Sequence, residues 1–495
     1  MKDIRNLFTL IFGVVVTLFF GMAYPHHLHY QEQFQLFLFD GDYVWDVVRL
    51  PGGVADLLGR FCTQFFLYAW VGAAIVGILL SAVQFLMIRL LDWGRLYGLT
   101  FVPSCLLWIF LLDENALLGG VWAVLLMLLA TWGFGKLSGG WIKHILLVVA
   151  IPVLYWIVGP VSIVFFLLQS PRLKLNAKYY GVFVLWAVMV VVLSLYLPVP
   201  INKLWSGIHY HRYPTEFPAL LWWSSCSVFF VTLIARVFKK WTNSSCSMVM
   251  TLCSFAVVVG CMGGFIWKNC NFKAEKAMQY DFMACHQQWN RILDAINVEK
   301  PNNQIGVTVQ NLALAMHGVL PQQLFNYNQN GLLGLLPVVQ RDATSPLPTA
   351  EAFYHLGMIN VAQRTVFEAQ ESILDFQKSS RCYKRLAQTN LINGNYEVAR
   401  KYLVALQKTI FYKKWANETL QLLNNEKAIA QHPEYGRLRQ MRYKEDFFFS
   451  DQATPKMIED IYLSNNKNSI AYQYMLAAFM LTGDKESFYK YVSKN

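Results

Sequence analysis

Ile142-Lys143-His144-Ile145-Leu146-Leu147 opens a run that continues through Ala150-Ile151-Pro152-Val153 and Val158-Gly159-Pro160-Val161 to Phe165-Phe166-Leu167-Leu168-Gln169. It is apolar throughout but broken by Pro152 and by Gly159-Pro160. About 20 apolar residues cross a bilayer as one helix. A single kinked helix here gives the chain eight spans. A hairpin of two short helices turning at Gly159-Pro160 gives nine. Cations gather in cytoplasmic loops, which can arbitrate. With nine spans and the N-terminus inside, the cytoplasmic side carries twelve cations: Lys2, Arg5, Arg89, Arg95, Lys136, Lys143, Arg172, Lys174, Lys178, Arg236, Lys239 and Lys240. The opposite side carries four: Arg49, Arg60, Lys203 and Arg212. With eight spans, the cations from Arg172 to Lys240 change sides and the bias collapses. The charge pattern favours the hairpin. The C-terminal half then lies outside the cytoplasm, which for a bacterial inner-membrane protein is the periplasm.

The other expected spans are Leu7–Tyr24, Phe61–Ile88, Leu96–Leu112, Leu117–Phe134, Tyr180–Leu197, Pro218–Val237 and Met248–Trp267. The first resembles a signal peptide at Met1-Lys2-Asp3-Ile4-Arg5. Its long apolar stretch, with no small-x-small cleavage site after it, reads as a retained span. The 495 residues are 55% hydrophobic and 15% charged, against about 25% charged in a soluble domain, which argues against a simple soluble enzyme. Charge usage changes near Trp267. Before it stand 16 Lys/Arg and 10 Asp/Glu; after it stand 26 and 20. The net +12 invites a nucleic-acid reading, but it splits evenly between the halves with no basic block, so no nucleic-acid partner is expected. The fold class expected is all-α: a membrane domain over residues 1–267 with about nine spans and a polar outer loop at 25–60, then a helical-repeat domain over 268–495.

Eight acids of the membrane half fall on the outer side, and Asp3 and Asp92 on the inner side. In the first outer loop, Phe34, Leu36, Phe37 and Leu38 alternate with Gln31, Gln33 and Gln35. With Trp45, Val47, Val48 and Leu50 they suggest a helix lying on the membrane surface. Pro51-Gly52-Gly53 makes a turn, and Val54–Gly59 leads into the second span. His26, His27 and His29 match no zinc spacing. Glu32, Asp40 and Asp42 are the candidate general bases. Asp113 and Glu114, at a helix–helix turn, are candidate ligands for Mg²⁺ or Mn²⁺; as structure alone they would cap that turn. Lys203, His209, His211 and Arg212, in an aromatic loop, suit a phosphate group, for which Arg has bidentate geometry. The same loop also reads as an interfacial aromatic belt with snorkelling cations.

This layout resembles the GT-C class of membrane glycosyltransferases, in which an acidic residue of the long first outer loop acts on a polyprenyl-linked sugar donor. In some of those enzymes a second acidic motif lies between spans three and four. Glu32, Asp40 and Asp42 occupy the first place here and Asp113-Glu114 the second. Asp40-Gly41-Asp42 fits Asp-x-Asp, while Gln31-Glu32-Gln33 does not. The resemblance implies a sugar moved from a polyprenyl-phosphate carrier to a periplasmic acceptor, with Lys203, His209, His211 and Arg212 holding the lipid phosphate. The chain also looks like uncharacterised bacterial multi-pass proteins with a helical-repeat tail.

Residues 268–495 read as helical pairs near a 34-residue period, like tetratricopeptide (TPR) units. Cys382–Lys408 carries Leu386, Ala387, a turn at Gly394-Asn395-Tyr396 and a small crossing residue, Ala399. Phe353-x-x-Leu356-Gly357 with Ala369 forms a second pair. Tyr472–Val492 forms a third, turning at Gly483-Asp484. Ala274–Asn297 and Asn303–His317 read as another pair, and Asn326–Pro348 as a long loop. Such arrays usually bind a protein or peptide. A membrane-anchored scaffold without catalytic activity is the competing reading. Nine cysteines form no disulfide framework, although Cys270 and Cys285 could pair.

Overall fold

The computed structural model describes residues 2–91, 97–137, 141–169, 177–237, 248–338, 344–374, 377–445 and 454–493. Arg95, Asp92, Arg172, Lys174, Lys239, Lys240 and Cys246 lie outside them. The described residues form helices and turns, with two isolated β-bridges and no strand. The chain divides into two compact units, Met1–Asn271 and Phe272–Asn495.

Among the described residues the first unit holds thirteen α-helices: α1 (Lys2–Leu18), α2 (Pro25–Gln33), α3 (Gly41–Val48), α4 (Gly53–Thr63), α5 (Ala69–Leu91), α6 (Val102–Phe110), α7 (Leu118–Gly135), α8 (Trp141–Val158), α9 (Ser162–Gln169), α10 (Ala177–Tyr196), α11 (Ile201–Ser206), α12 (Ala219–Val237) and α13 (Met248–Lys268). Among the described residues six stretches are long and apolar enough to cross a membrane: Ile4–Ala23, Ala69–Leu91, Leu118–Gly135, Trp141–Gln169, Ala219–Val237 and Val249–Lys268. That is fewer than the nine expected. Tyr97–Phe110 and Gly181–Tyr196 are apolar but shorter.

The stretch 141–169 doubles back. Lys143 Nζ lies 5.2 Å from the centre of the Phe134 ring, and the Phe165 ring lies 5.4 Å from the same ring. A continuous helix would hold positions 143 and 165 about 33 Å apart. The reversal falls at Gly159, whose φ of +70° suits glycine. There the Gly52 N–H donates to the carbonyls of Tyr155 and Trp156, and the Tyr210 hydroxyl donates to that of Val158. After the reversal, the Leu168 carbonyl accepts from Arg236 at the end of α12, at 3.2 Å.

The first loop differs from expectation. Residues 34–38 are a turn at Phe34 followed by a buried, irregular segment rather than a surface helix, with Phe34, Leu36, Phe37 and Leu38 all packed inside. Trp45 sits apart on α3 and is exposed. Val54–Gly59 belongs to α4, a full helix of 11 residues, so the next apolar helix begins at Ala69 and not at Phe61.

The second unit is built from helical hairpins. Gln304–Met316, Pro346–Leu356, Ser380–Asn393 and Ser469–Thr482 each end at a left-handed glycine: Gly318, Gly357, Gly394 and Gly483, with φ of +81°, +86°, +84° and +73°. After each glycine the next N–H reaches back five residues: Val319 to Leu314, Met358 to Phe353, Asn395 to Asn390 and Asp484 to Phe479, at 2.8–3.0 Å. This is the Schellman closure, which satisfies carbonyls left open at a helix end. The first three glycines are 39 and 37 residues apart. Unlike an open array, in which each repeat meets only its neighbours, the last hairpin returns to the first. Gln473 Nε2 donates to the Ala315 carbonyl at 3.0 Å, and Leu320 N–H donates to Gln473 Oε1 at 3.1 Å. Cys270 and Cys285 are free thiols, with the helix Phe272–Cys285 between them.

Nothing lies within 4 Å of a methyl group added at Gly394. Gly394→Ala therefore tests the backbone alone. It is expected to lower stability by about 1 kcal/mol, read as a shift in the denaturation midpoint of the helix Ser380–Asn393. An unchanged midpoint would remove the left-handed requirement.

Candidate functional site

Three polar loops converge at one end of the first unit. The turn after α6 and the loop after α11 pair as a short antiparallel bridge, Ala116 with His211. Leu117 N–H donates to the Tyr210 carbonyl at 3.1 Å, and Arg212 N–H to the Asn115 carbonyl at 2.8 Å. From the first loop, Gln31 Nε2 donates to the Ala116 carbonyl at 3.1 Å.

Asp113 Oδ2 and His211 Nε2 are 3.1 Å apart. His211 Nδ1 faces the Tyr213 backbone, 3.3 Å from its carbonyl oxygen and 3.2 Å from its nitrogen, and Nε2 carries the proton toward Asp113. Burial pushes the Asp113 carboxyl up, but hydrogen bonds from His211 and the Asn115 backbone outweigh it, and its pKa falls below the usual value. Burial likewise lowers His211, and Asp113 more than restores it, so its pKa is raised. The ion pair then has a defined window. His211 contributes stability below its unfolded value of 6.5, lost as pH rises through its raised folded value. Asp113 contributes above 3.8, lost as pH falls. His26 and His27 are driven down to about 4 by burial and stay neutral near pH 7.

Deeper in the cap, Arg60 on α4 donates through Nε and Nη2 to Asp56 Oδ2, both at 2.9 Å. His209 Nε2 lies 4.0 Å from the same oxygen. Lys203 donates to the Glu216 carbonyl at 3.2 Å. Arg212 is different. It is only 7% exposed, its Nη1 donates to the Tyr30 hydroxyl at 2.9 Å, and its guanidinium lies 3.6 Å from the centre of the Phe34 ring. Its Nη2 has no hydrogen-bond partner and the side chain has no ion-pair partner among the described residues. A buried cation without a counter-charge is costly. Beside it is a cavity of about 10 Å³, room for one water, lined among others by Gln31, Gln35, Thr63 and Glu114.

The sequence candidates thus separate. Lys203, His209, His211 and Arg212 share the cap with Asp113. Glu32 is buried on α2, Asp40 precedes α3, and Asp42 is exposed in its first turn. Asp113 and Glu114, the candidate Mg²⁺ or Mn²⁺ ligands, sit in the turn after α6. The Asp113 oxygens are committed to His211 and the Asn115 N–H, and no group of three or more His, Cys, Asp or Glu side chains able to hold a metal occurs among the described residues. Sequence reading missed Asp56, Arg60, Tyr30 and Phe34 as site residues. The spacing Asp56–Arg60, one helical turn, was an available signal.

All-helical architecture with six apolar helices suggests a multi-pass membrane protein. The chain belongs to a family of unknown function, DUF6057, whose model matches residues 1–495. No curated protein and no solved structure matches it.

Proposed function

We propose that the protein is a GT-C-like membrane glycosyltransferase that takes a sugar from a polyprenyl-phosphate carrier. Arg212 carries this reading: a buried guanidinium balanced by aromatic faces and a hydroxyl, at the junction of three polar loops, suits an incoming phosphate. The acceptor hydroxyl oxygen attacks the anomeric carbon as the bond from that carbon to the phosphate oxygen breaks. The hydroxyl proton passes to a carboxylate. The lipid phosphate leaves with the bonding electrons, its charge held by Arg212. Glu32, Asp40 and Asp42 are the bases proposed from the first loop, and Glu114 lines the cavity itself. The cavity is too small for a phosphate, so entry requires Phe34 to move off the guanidinium. In the same reading the membrane is the bacterial inner membrane, the N-terminus is cytoplasmic, nine passages are completed by the two shorter helices and by the doubled-back stretch 141–169 counting as two, and the cap faces the periplasm. The hairpins of the second unit act as TPR-like repeats that hold a protein or peptide acceptor.

A membrane-anchored scaffold is the second reading. The internal pairing of Asp56 with Arg60 and of Asp113 with His211 favours it, because a purely structural cap also neutralises its own charges.

The test uses the full chain in vesicles of bacterial lipid extract containing polyprenyl-phosphate sugars, with periplasmic extract as acceptor. Mass spectrometry follows release of polyprenyl phosphate. Wild type is expected to release it, and Arg212→Ala to do so roughly a hundredfold more slowly. If Glu32→Gln, Asp40→Asn, Asp42→Asn and Glu114→Gln all match wild type, the base assignment fails. No release, together with a stoichiometric protein partner on purification, favours the scaffold.

A further inference from the structure

The positive charge of the second unit is concentrated, not spread. Residues 378–415 hold nine Lys/Arg and a single acid, Glu397. The remainder of residues 268–495 is slightly acidic. Arg381 and Arg385 are buried against Asp281 and Glu351. Arg400 pairs with Glu397 at 3.7 Å. The other six are lysines, half-buried or exposed: Lys378, Lys384, Lys401, Lys408, Lys413 and Lys414.

The fold brings them together. The Tyr412 hydroxyl, in the connection after the helix Tyr396–Gln407, meets Ser380 Oγ at 3.2 Å. Lys384 Nζ lies 5.4 Å from the Trp415 ring, and Lys378 Nζ 5.9 Å from the Tyr383 ring. Tyr383 in turn packs edge-on against Tyr402, with ring centres 5.2 Å apart. Lys401 and Val404, three residues apart, share one face of the helix Tyr396–Gln407, and Lys408 follows at its C-terminal end. Val404 and Ile410 are exposed among these lysines.

We propose that this patch docks on the anionic head-group layer of a lipid bilayer. Lysine ammonium groups are mobile point charges that suit a diffuse anionic surface rather than bidentate recognition of one group. Exposed Val404 and Ile410 supply the apolar component of an interfacial contact. The patch is joined covalently to a unit with six apolar helices, so it works at high effective concentration near a membrane.

The test compares full-length protein in nanodiscs of phosphatidylcholine alone and of phosphatidylcholine with phosphatidylglycerol, by amide hydrogen exchange. Exchange over residues 404–415 is expected to slow several-fold in the anionic discs and to recover at high salt. The combined variant Lys401→Gln, Lys408→Gln, Lys413→Gln and Lys414→Gln loses this protection. The helix Gln304–Met316 exchanges alike in every sample, which reports intact folding. Equal exchange in both discs overturns the proposal, as does protection that survives in the combined variant. Protection by soluble polyglutamate in neutral discs, with none from phosphatidylglycerol, overturns it in favour of an acidic protein partner.

Discussion

Glu351→Gln is expected to destabilise the second unit by about 3–5 kcal/mol, because it breaks a buried ion network by removing one partner. Glu351 accepts from Arg381 at 3.2 Å and from Arg385, and Arg381 also grips Asp281 with two bonds of 2.6 and 2.9 Å. Arg385 is buried with its guanidinium carbon over the Tyr354 ring, 3.7 Å from the ring centre, so it has little access to water when the carboxylate is gone. Glutamine keeps the volume and removes only the charge. Burial pushes the Glu351 carboxyl up, but Arg385 and Arg381 pull it down to about 2, from 4.5 when unperturbed. A depressed folded value stabilises above the unfolded one. The contribution is therefore complete above about pH 4.5 and is lost as pH falls toward 2. Urea midpoints of the helix Ser380–Asn393 in the full chain, followed by amide exchange against pH, should show a lower midpoint and a flatter acid limb in the variant. A midpoint equal to wild type at neutral pH would mean that the network contributes nothing.

The corresponding change in the first unit is Asp56→Ala. It leaves Arg60 buried without its carboxylate, at a cost of about 3–5 kcal/mol, with only the Tyr43 hydroxyl and other local dipoles to compensate. The double variant Asp56→Leu with Arg60→Met removes both charges and is expected to recover most of that loss. The readout is the temperature at which the detergent-solubilised protein leaves its monodisperse peak. If the single and double variants melt together, the pair is not the source of the stability. This prediction concerns the scaffold of the cap and is independent of whether Arg212 holds a phosphate.

Much of the second unit was legible because its signals are local. The glycine after a periodic apolar run at Gly394, the small Ala399 and the turn at Gly483-Asp484 each depend on neighbours within one hairpin. The first loop was misread for a physical reason. The preceding helix ends at Gln33, and residues 34–38 bury Gln35 together with the apolar side chains, so no polar face is left for a helix lying on a membrane surface. Counting charge over the whole second half hid the lysine cluster of residues 378–415, since an average erases clustering. The cap was legible only as three separate polar loops, because His211 meets Asp113 across 98 positions and Arg212 meets Tyr30 across 182.

Hydrophobicity and helix punctuation are properties of short stretches, and so the sequence by itself determined the all-helical class, most of the apolar helices and the hairpin turns. The tertiary structure decided the doubling-back of residues 141–169, the return of the last hairpin onto the first, and the pairing that neutralises Asp56 and Asp113 but leaves Arg212 among aromatic rings. Each of these depends on which distant residues come within a few ångströms, and short-range interactions such as hydrogen bonds and desolvated ion pairs take their value only at those distances.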